Sequence, residues 1–389
     1  MTQSPDRIVT NGKIWTGAQF VEALGIRDGR IEAAGTSAEV AERLGTGAAQ
    51  IDLEGALAIP GLIDSHTHFV RAGLTWNHAT RWDGITSLAE GLERIRAASQ
   101  ISPPGTWIRV VGGWHPGDLV EDRGPTVAEL NAAAPNHPVY VQLLYEQATL
   151  NDTAMAFLPE ADPPGGVIER HEDGSPTGIV SGPGAFGSIL SQIPLPTRSD
   201  QAAATRALAA ELNSLGVVGV IDPGGFGVVP ETYGPLFDVW RAAELTVRTR
   251  LYLVPGGRGT EVADAREWVR FVQPGFGDGM LRYTGFGEIL SFGCHDMEGV
   301  RPWTMSPEAK AELTEITTLL AREGWPIHMH AIFDDTIADI LDVWESIDAT
   351  IGLPRTALAH AEPVSLATLR RLQALGTGLA IQDRMIWRM

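Results

Sequence analysis

From about Gly216 onward, short apolar runs alternate with longer segments in which apolar residues return every three or four positions. The runs GVVGVID (216–222), LTVRTRLYLV (245–254), TGFGEIL (284–290), PIHMHAI (326–332), TALAHAE (356–362) and TGLAIQ (377–382) predict strands. Between them, SPEAKAELTEITTLLAREG (306–324) predicts a helix, with Ser306 as its cap, Pro307 in its first turn and Gly324 at its stop. Leu313, Ile316 and Leu320 share one face of it. SLATLRRLQALG (365–376) repeats the scheme with Leu366, Leu369 and Leu372. Strands alternating with helices imply parallel βαβ units, closed as a barrel or open as a doubly wound sheet. With LIDSHTHF (62–69) as the opening strand, the series has seven strands.

Two parts of the chain pattern differently. In residues 1–60, DRIVTNGKIWTG breaks at Asn11-Gly12, LGIRDGRIEAAG breaks at Asp28-Gly29, and AQIDLEGALAIPG adds a third extended segment. Both dipeptides favour two-residue hairpin turns, whose central residues need positive φ. This part is expected to be a small β-rich domain. Residues 70–200 hold GTWIRVVGG (105–113), HPVYVQLL (137–144), a Pro/Gly-rich stretch at 162–166 and a turn at Asp173-Gly174. They are expected to form a large insertion between the first and second strands of the alternating part, shaping a site.

Composition narrows the class. Asp and Glu outnumber Lys and Arg by 48 to 29, a net charge of −19, which offers no footprint for nucleic acid or an anionic membrane. No apolar stretch approaches a membrane span, and the N-terminus lacks the apolar core of a signal peptide. The single cysteine, Cys294, excludes an internal disulfide framework and a cysteine-rich zinc site. The expectation is a cytoplasmic α/β protein.

The histidines carry the chemistry. His66 and His68 sit two apart at the end of an apolar strand and so share a face. His330 ends PIHMH and His360 ends TALAH. In a parallel barrel the strand C-termini meet at one mouth, so these four imidazoles converge there as a candidate metal site. His328 belongs on the same side but deeper, as core or as support for a ligand. His78, His137 and His171 are expected in surface or structural roles, whereas His115, in the loop GGWHPGD, is a candidate to reach substrate.

The opening blocks IVTNGKIWTG, IRDGRIEAAG and LAIPGLIDSHTHF are followed in order by PTVAELNAAAPNHPVYV (125–141), DGSPTGIV (173–180), LNSLGVVGVID (212–222), HAIFDD (330–335) and RTALAHAEPVSLATLRRLQALG (355–376). On these blocks the sequence resembles the metal-dependent amidohydrolase superfamily, specifically its YtcJ-like branch. The resemblance implies a (β/α)8 TIM-type barrel beside a small β-sandwich built from both chain termini. It also implies one or two divalent metals, usually zinc, at the barrel mouth. His66 and His68 are then first-strand ligands, His330 the fifth-strand ligand and His360 the sixth-strand ligand. The implied reaction is hydrolysis of an amide, N-acyl or cyclic amide C–N bond of a small molecule. Zinc suits it by polarising the carbonyl and lowering the pKa of water to roughly 7.

The sequence departs from the family pattern in three places. Glu288 stands where the family commonly has a lysine that can be carboxylated to bridge two metals, so Glu288 is expected to bridge cations directly. Cys294, His295 and Asp296 follow the fourth strand and are expected at the mouth, as substrate contacts or an extra ligand. Tyr145, Glu146 and Gln147 replace an Asp-Gly-His ahead of Asn151, which leaves Gln147 facing substrate as a donor that does not titrate. Trp76, Trp82 and Trp114 are expected in packing, with apolar walls of the site as the alternative.

Lastly, the family's eighth strand supplies an aspartate that acts as general base and acid, and this residue is expected beyond Met389. Residues 61–389 then read as a barrel with seven of eight strands, for which Asp383 lies on the wrong strand to substitute. A homo-oligomer could cover the open edges. The alternatives to an amide hydrolase are a non-catalytic or incomplete relative, or a deaminase or decarboxylase on the same scaffold.

Overall fold

A computed structural model describes residues 5–45, 47–225, 227–296 and 304–381; Asp383 lies outside the described residues. The chain divides into two compact units, one running through Ile63 and including Gly216–Gly219, the other holding the remainder.

The first unit contains two small sheets and one helix. In the four-stranded sheet, Arg7–Thr10 lies between Ala23–Arg27, antiparallel to it, and Ala49–Asp52, parallel to it. In the three-stranded sheet, Lys13–Trp15 lies between Phe20–Val21 and Leu57–Ala58. The helix Ser37–Leu44 starts on a capping box made by Thr36 and Glu39. It buries Val40 and Leu44 against Ile8 and Ala23. The two turn dipeptides part ways. Asp28 and Gly29 both have positive φ (50° and 73°) and join paired strands, as a two-residue hairpin requires. Asn11-Gly12 is not a hairpin, because the strands on its two sides belong to different sheets. Asn11 Nδ2 instead donates to Asp52 Oδ1 at 2.7 Å, and a side chain on Gly12 would meet the Ala56 carbonyl at 2.5 Å.

The second unit holds most of a curled parallel sheet of the TIM-barrel type, whose first two strands begin in residues counted with the first unit. Its order in sequence is Leu62–Asp64, Val217–Asp222, Arg248–Leu253, Leu281–Glu288, Ile327–Ala331, Thr356–His360 and Gly378–Ala380, each beside the next. The segments read as strands from their apolar runs each contribute one. Helices Glu261–Phe271, Pro307–Arg322, Asp334–Ile351 and Leu366–Leu375 follow the third to sixth strands. Leu253, Phe286, Met329 and Leu358 share a core with Leu313, Ile316, Leu320, Ile337 and Trp344 of these helices. Side chains alternate along a strand, so His328 and His330 take the face opposite Met329; Glu288 joins them, 3.6 Å from His330 Nδ1, because Gly287 at φ of 139° breaks the alternation after Phe286.

The insertion forms its own mixed sheet, in the order Val167–Arg170, Pro176–Ser181, Gln147–Leu150, Val139–Leu143 and Ile108–Val111. Trp82 and Trp114 are buried in its core as an edge-to-face pair, 5.2 Å between ring centroids, so both pack rather than wall a site. Asn151 is a buried staple: Oδ1 accepts from Val139 N and Ala154 N, and Nδ2 donates to the carbonyls of His137 and Ala134. His137 is buried too, with Nδ1 at 2.9 Å from the Thr106 carbonyl. Trp76 lies on the helix Arg198–Ser214, donating to Glu211 at 3.1 Å beneath the Arg81 guanidinium.

Leu313 is fully buried between helix and sheet. Leu313→Ala should lower unfolding free energy by about 2–5 kcal/mol in urea titrations; a loss near zero would contradict this packing.

Candidate metal centre

The site grows from the C-terminal ends of four strands. Just past the first, Asp64 Oδ1 accepts the His66 N–H at 2.9 Å, folding the chain so that His66 and His68 follow in one tight turn. Asp222, which ends the second strand and is buried, accepts Val70 N at 2.6 Å and Gly224 N at 2.8 Å. One carboxylate thus ties the segment after His68 to the segment after the second strand. Burial is also why the Asp222 carboxyl is pushed up to about 6. Glu288 ends the fourth strand, His330 lies near the end of the fifth, and His360 ends the sixth. His360 has φ of 72°, a left-handed conformation uncommon for residues other than glycine and one that gathers at functional sites.

Glu288 is the hub. Its Oε2 lies 3.2 Å from His66 Nε2 and 3.6 Å from His330 Nδ1, and its Oε1 lies 3.5 Å from His68 Nε2. One ligand atom each from His66, Glu288 and His360 falls within 4.8 Å of the others. The His66 and His360 rings are 5.1 Å apart, and those of His330 and His360 4.4 Å apart. The structure therefore brings His66, His68, Glu288, His330 and His360 into one cluster.

The polarity of this cluster points to a cation. His68 Nδ1 lies 2.7 Å from the Gly224 carbonyl, which can only accept, so Nδ1 carries the proton. Burial pushes the His68 pKa down to about 4, leaving the ring neutral. Its Nε2 lone pair then faces a carboxylate oxygen of Glu288, two acceptors with no hydrogen between them. Both His66 Nε2 and Glu288 Oε2 are likewise buried without a well-formed hydrogen bond. Facing acceptors in a buried site repel unless a positive charge lies between them, and imidazole nitrogen with carboxylate oxygen is a donor set that zinc and related divalent ions accept. The residues fit a divalent metal.

A supporting layer orients this set. His328 Nε2 is 3.3 Å from His66 Nδ1, one layer deeper, and burial holds its pKa at about 4. Asp296 lies 3.4 Å from His330 Nε2 while accepting Ile332 N and Phe333 N. Burial works against a charge on His330, but Asp296 and Glu288 raise its pKa to about 9. His295 stacks on His330 at 4.0 Å between centroids, and burial together with His330 pushes it down to about 3. Gly225 gives the site its room. At φ of 106°, a Cβ there would lie 2.7 Å from the His68 ring and 3.2 Å from Glu288 Oε1.

Three further candidates lie outside this cluster. Cys294 is wholly buried, its sulfur against Met305 and the Ala309 carbonyl, so it belongs to the helix core and not to the mouth. The cause is the short turn Phe292–Cys294, which carries the chain inward before His295. His115 and Gln147 both lie on the inserted segment. His115 Nδ1 accepts the Gly117 N–H and caps the turn Pro116–Asp118, and Gln147 opens a strand opposite Leu143. The anchoring roles of Asp222 and Asp296 were not drawn from the sequence, although Asp222 ending the apolar run GVVGVID was a visible signal.

Residues 49–387 match the model of the Amidohydrolase family, and the chain belongs to that family. It is 27% identical to Protein LONG AFTER FAR-RED 3 of Arabidopsis thaliana, across 97% of this chain and 68% of that protein. It is 32% identical to the N-substituted formamide deformylase of Arthrobacter pascens over 46% of this chain and 35% of that one. The putative amidohydrolase YtcJ of Bacillus subtilis is 29% identical over 41% of this chain and 31% of its own length. The chain thus aligns with only about a third of each of these two bacterial relatives. Among solved structures, an uncharacterized metal-dependent hydrolase from Pyrococcus furiosus shares the fold with a TM-score of 0.68 at 22% identity, over 98% of this chain and 78% of that one.

Gly225→Ala should displace His68 and Glu288 and weaken divalent-metal affinity by about 10- to 100-fold, the usual range for a disturbed ligand shell. Chelator competition measures it alongside circular dichroism. Unchanged affinity would show that Gly225 does not shape the site.

Proposed function

We propose that the protein is a metal-dependent hydrolase that cleaves the C–N bond of a small amide, N-acyl or cyclic amide. Its divalent metal, one ion or two, is held by His66, His68, Glu288, His330 and His360. The observation that carries this reading is the pair of facing acceptors, His68 Nε2 and Glu288 Oε1, at 3.5 Å. Membership of the Amidohydrolase family supports hydrolysis of amide-type bonds. A bound divalent ion, zinc in this reading, supplies Lewis acidity that polarises a carbonyl and acidifies water.

The chain's own groups have distinct tasks. Glu288 spans the site, with His66 and His330 on one oxygen and His68 on the other. The Gly224 carbonyl fixes the His68 tautomer, His328 supports His66, and Asp296 aims His330. His295, beside His330 and neutral through burial, is the substrate contact of this reading, one that adds no charge. His115 and Gln147 contact substrate in this reading from the inserted segment, which forms the outer wall. The proton-transfer group is the aspartate that the family resemblance places on an eighth strand, outside the described residues. The curled sheet is then part of a (β/α)8 barrel, and the N-terminal sheets are part of a β-sandwich. No helix among the described residues is long and apolar enough to cross a membrane.

The formamide deformylase relative makes N-formyl and N-acyl amines the first compounds to assay. With zinc supplied, the protein should release free amine from at least one member of such a panel. Glu288→Gln and His66→Ala should each lower metal content and cut that rate by about 10³-fold, the loss of several kcal/mol of charge stabilisation. Full metal content and full rate in both variants would refute the assignment.

A further inference from the structure

The opposite end of the same strands carries an unassigned feature. A solvent-open cavity of about 450 Å³ lies where the third to sixth strands begin, lined by Arg250, Arg282, Thr284, Pro326 and Arg355 among others. Three guanidinium groups converge there in a chain whose net charge is −19. Among the described residues none of the three forms an ion pair with a carboxylate. Asp278, whose field reaches Arg282, is occupied: it accepts the N–H groups of Met280 and Leu281 and the Trp240 indole. Arg250 donates only to the carbonyls of Thr249 and Gly279, each at 3.2 Å. Arg282 Nε and Thr284 Oγ1 are buried and lack a hydrogen-bond partner.

Two half-buried guanidinium groups and one exposed one, gathered with idle donors that include the buried Arg282 Nε, favour an anion that can answer them. We propose that this end of the barrel is a binding site for a phosphate-class oxyanion, either free phosphate or the phosphoryl group of a small molecule. Guanidinium groups present paired N–H donors that match phosphate oxygens. Three of them with a threonine hydroxyl supply more donors than the two oxygens of a lone carboxylate can use. The volume lies in the range of small-ligand sites. Burial, with repulsion from Arg282 and Arg248, also holds the Arg250 pKa below its ordinary value, a penalty that a bound anion would relieve. The site is distinct from the metal centre, since its residues begin the strands whose far ends carry Glu288, His330 and His360.

The test is thermal unfolding of the whole chain at fixed ionic strength, with chloride replaced stepwise by inorganic phosphate or by β-glycerophosphate. A ligand that binds the folded form raises the melting temperature in a saturable way, and both compounds should do so. At least tenfold tighter binding of the monoester assigns the site to phosphorylated metabolites, and equal binding assigns it to free phosphate. Arg355→Ala, which alters an exposed side chain at the cavity mouth, should weaken the apparent affinity about tenfold. Arg282→Gln should abolish the shift while circular dichroism stays that of the parent. Phosphate captured by the metal centre would be insensitive to Arg355→Ala. No shift with either compound, or a shift that Arg355→Ala leaves unchanged, overturns the proposal.

Discussion

Glu288 faces His66 Nε2 at 3.2 Å and His68 Nε2 at 3.5 Å, and neither approach makes a well-formed hydrogen bond. A buried carboxylate opposite the lone pair of a neutral ring is an arrangement that repels itself. Everything around it acts to hold it: the Gly224 carbonyl fixes the His68 proton, Gly225 leaves space for the ring, and Asp222 pins both flanking segments. Strain of this kind persists only where the surrounding packing is strong enough to impose it. Here the source of that strength is the apolar layer between sheet and helices, from Leu253 and Phe286 to Trp344.

The same alternation that builds the layer also fills the inner face of the sheet with polar groups. Below the histidines at the strand ends comes His328, with the Tyr252 ring 5.5 Å away, and the arginine-lined cavity lies at the far end. A carboxylate and imidazole cluster at one end and guanidinium groups at the other give the strands opposite charge preferences at their two ends. Barrels of this type are ordinarily filled by branched apolar side chains. The polar filling here is where the fold exchanges packing for chemistry.

Much of this was legible in the sequence because the two periods differ so clearly after Gly216. Runs such as PIHMHAI can only alternate faces, and SPEAKAELTEITTLLAREG can only present an apolar stripe, so strands, helices and the convergence of His66, His68, His330 and His360 follow from order alone. What was not legible depends on contacts between distant segments. Asn11-Gly12 carries a hairpin signature, but tertiary pairing sends its two strands to different sheets. Cys294 sits next to a mouth residue in sequence, yet one tight turn buries it. Asp296 is expected at the mouth from its place after the fourth strand, but only the fold shows it behind His330 and at the start of the next helix. Arg250, Arg282 and Arg355 lie on three different strands or their edges, and no window of sequence shows them together.

The central claim is that the histidine–glutamate cluster is a cation site. Anomalous diffraction at the zinc edge, from crystals of the zinc-loaded protein, tests it most directly. The account predicts a peak bounded by His66, His68, Glu288, His330 and His360, with nitrogen and oxygen ligands at roughly 2.0–2.2 Å. A metal peak elsewhere, or none at this cluster in protein that binds zinc stoichiometrically, would contradict it.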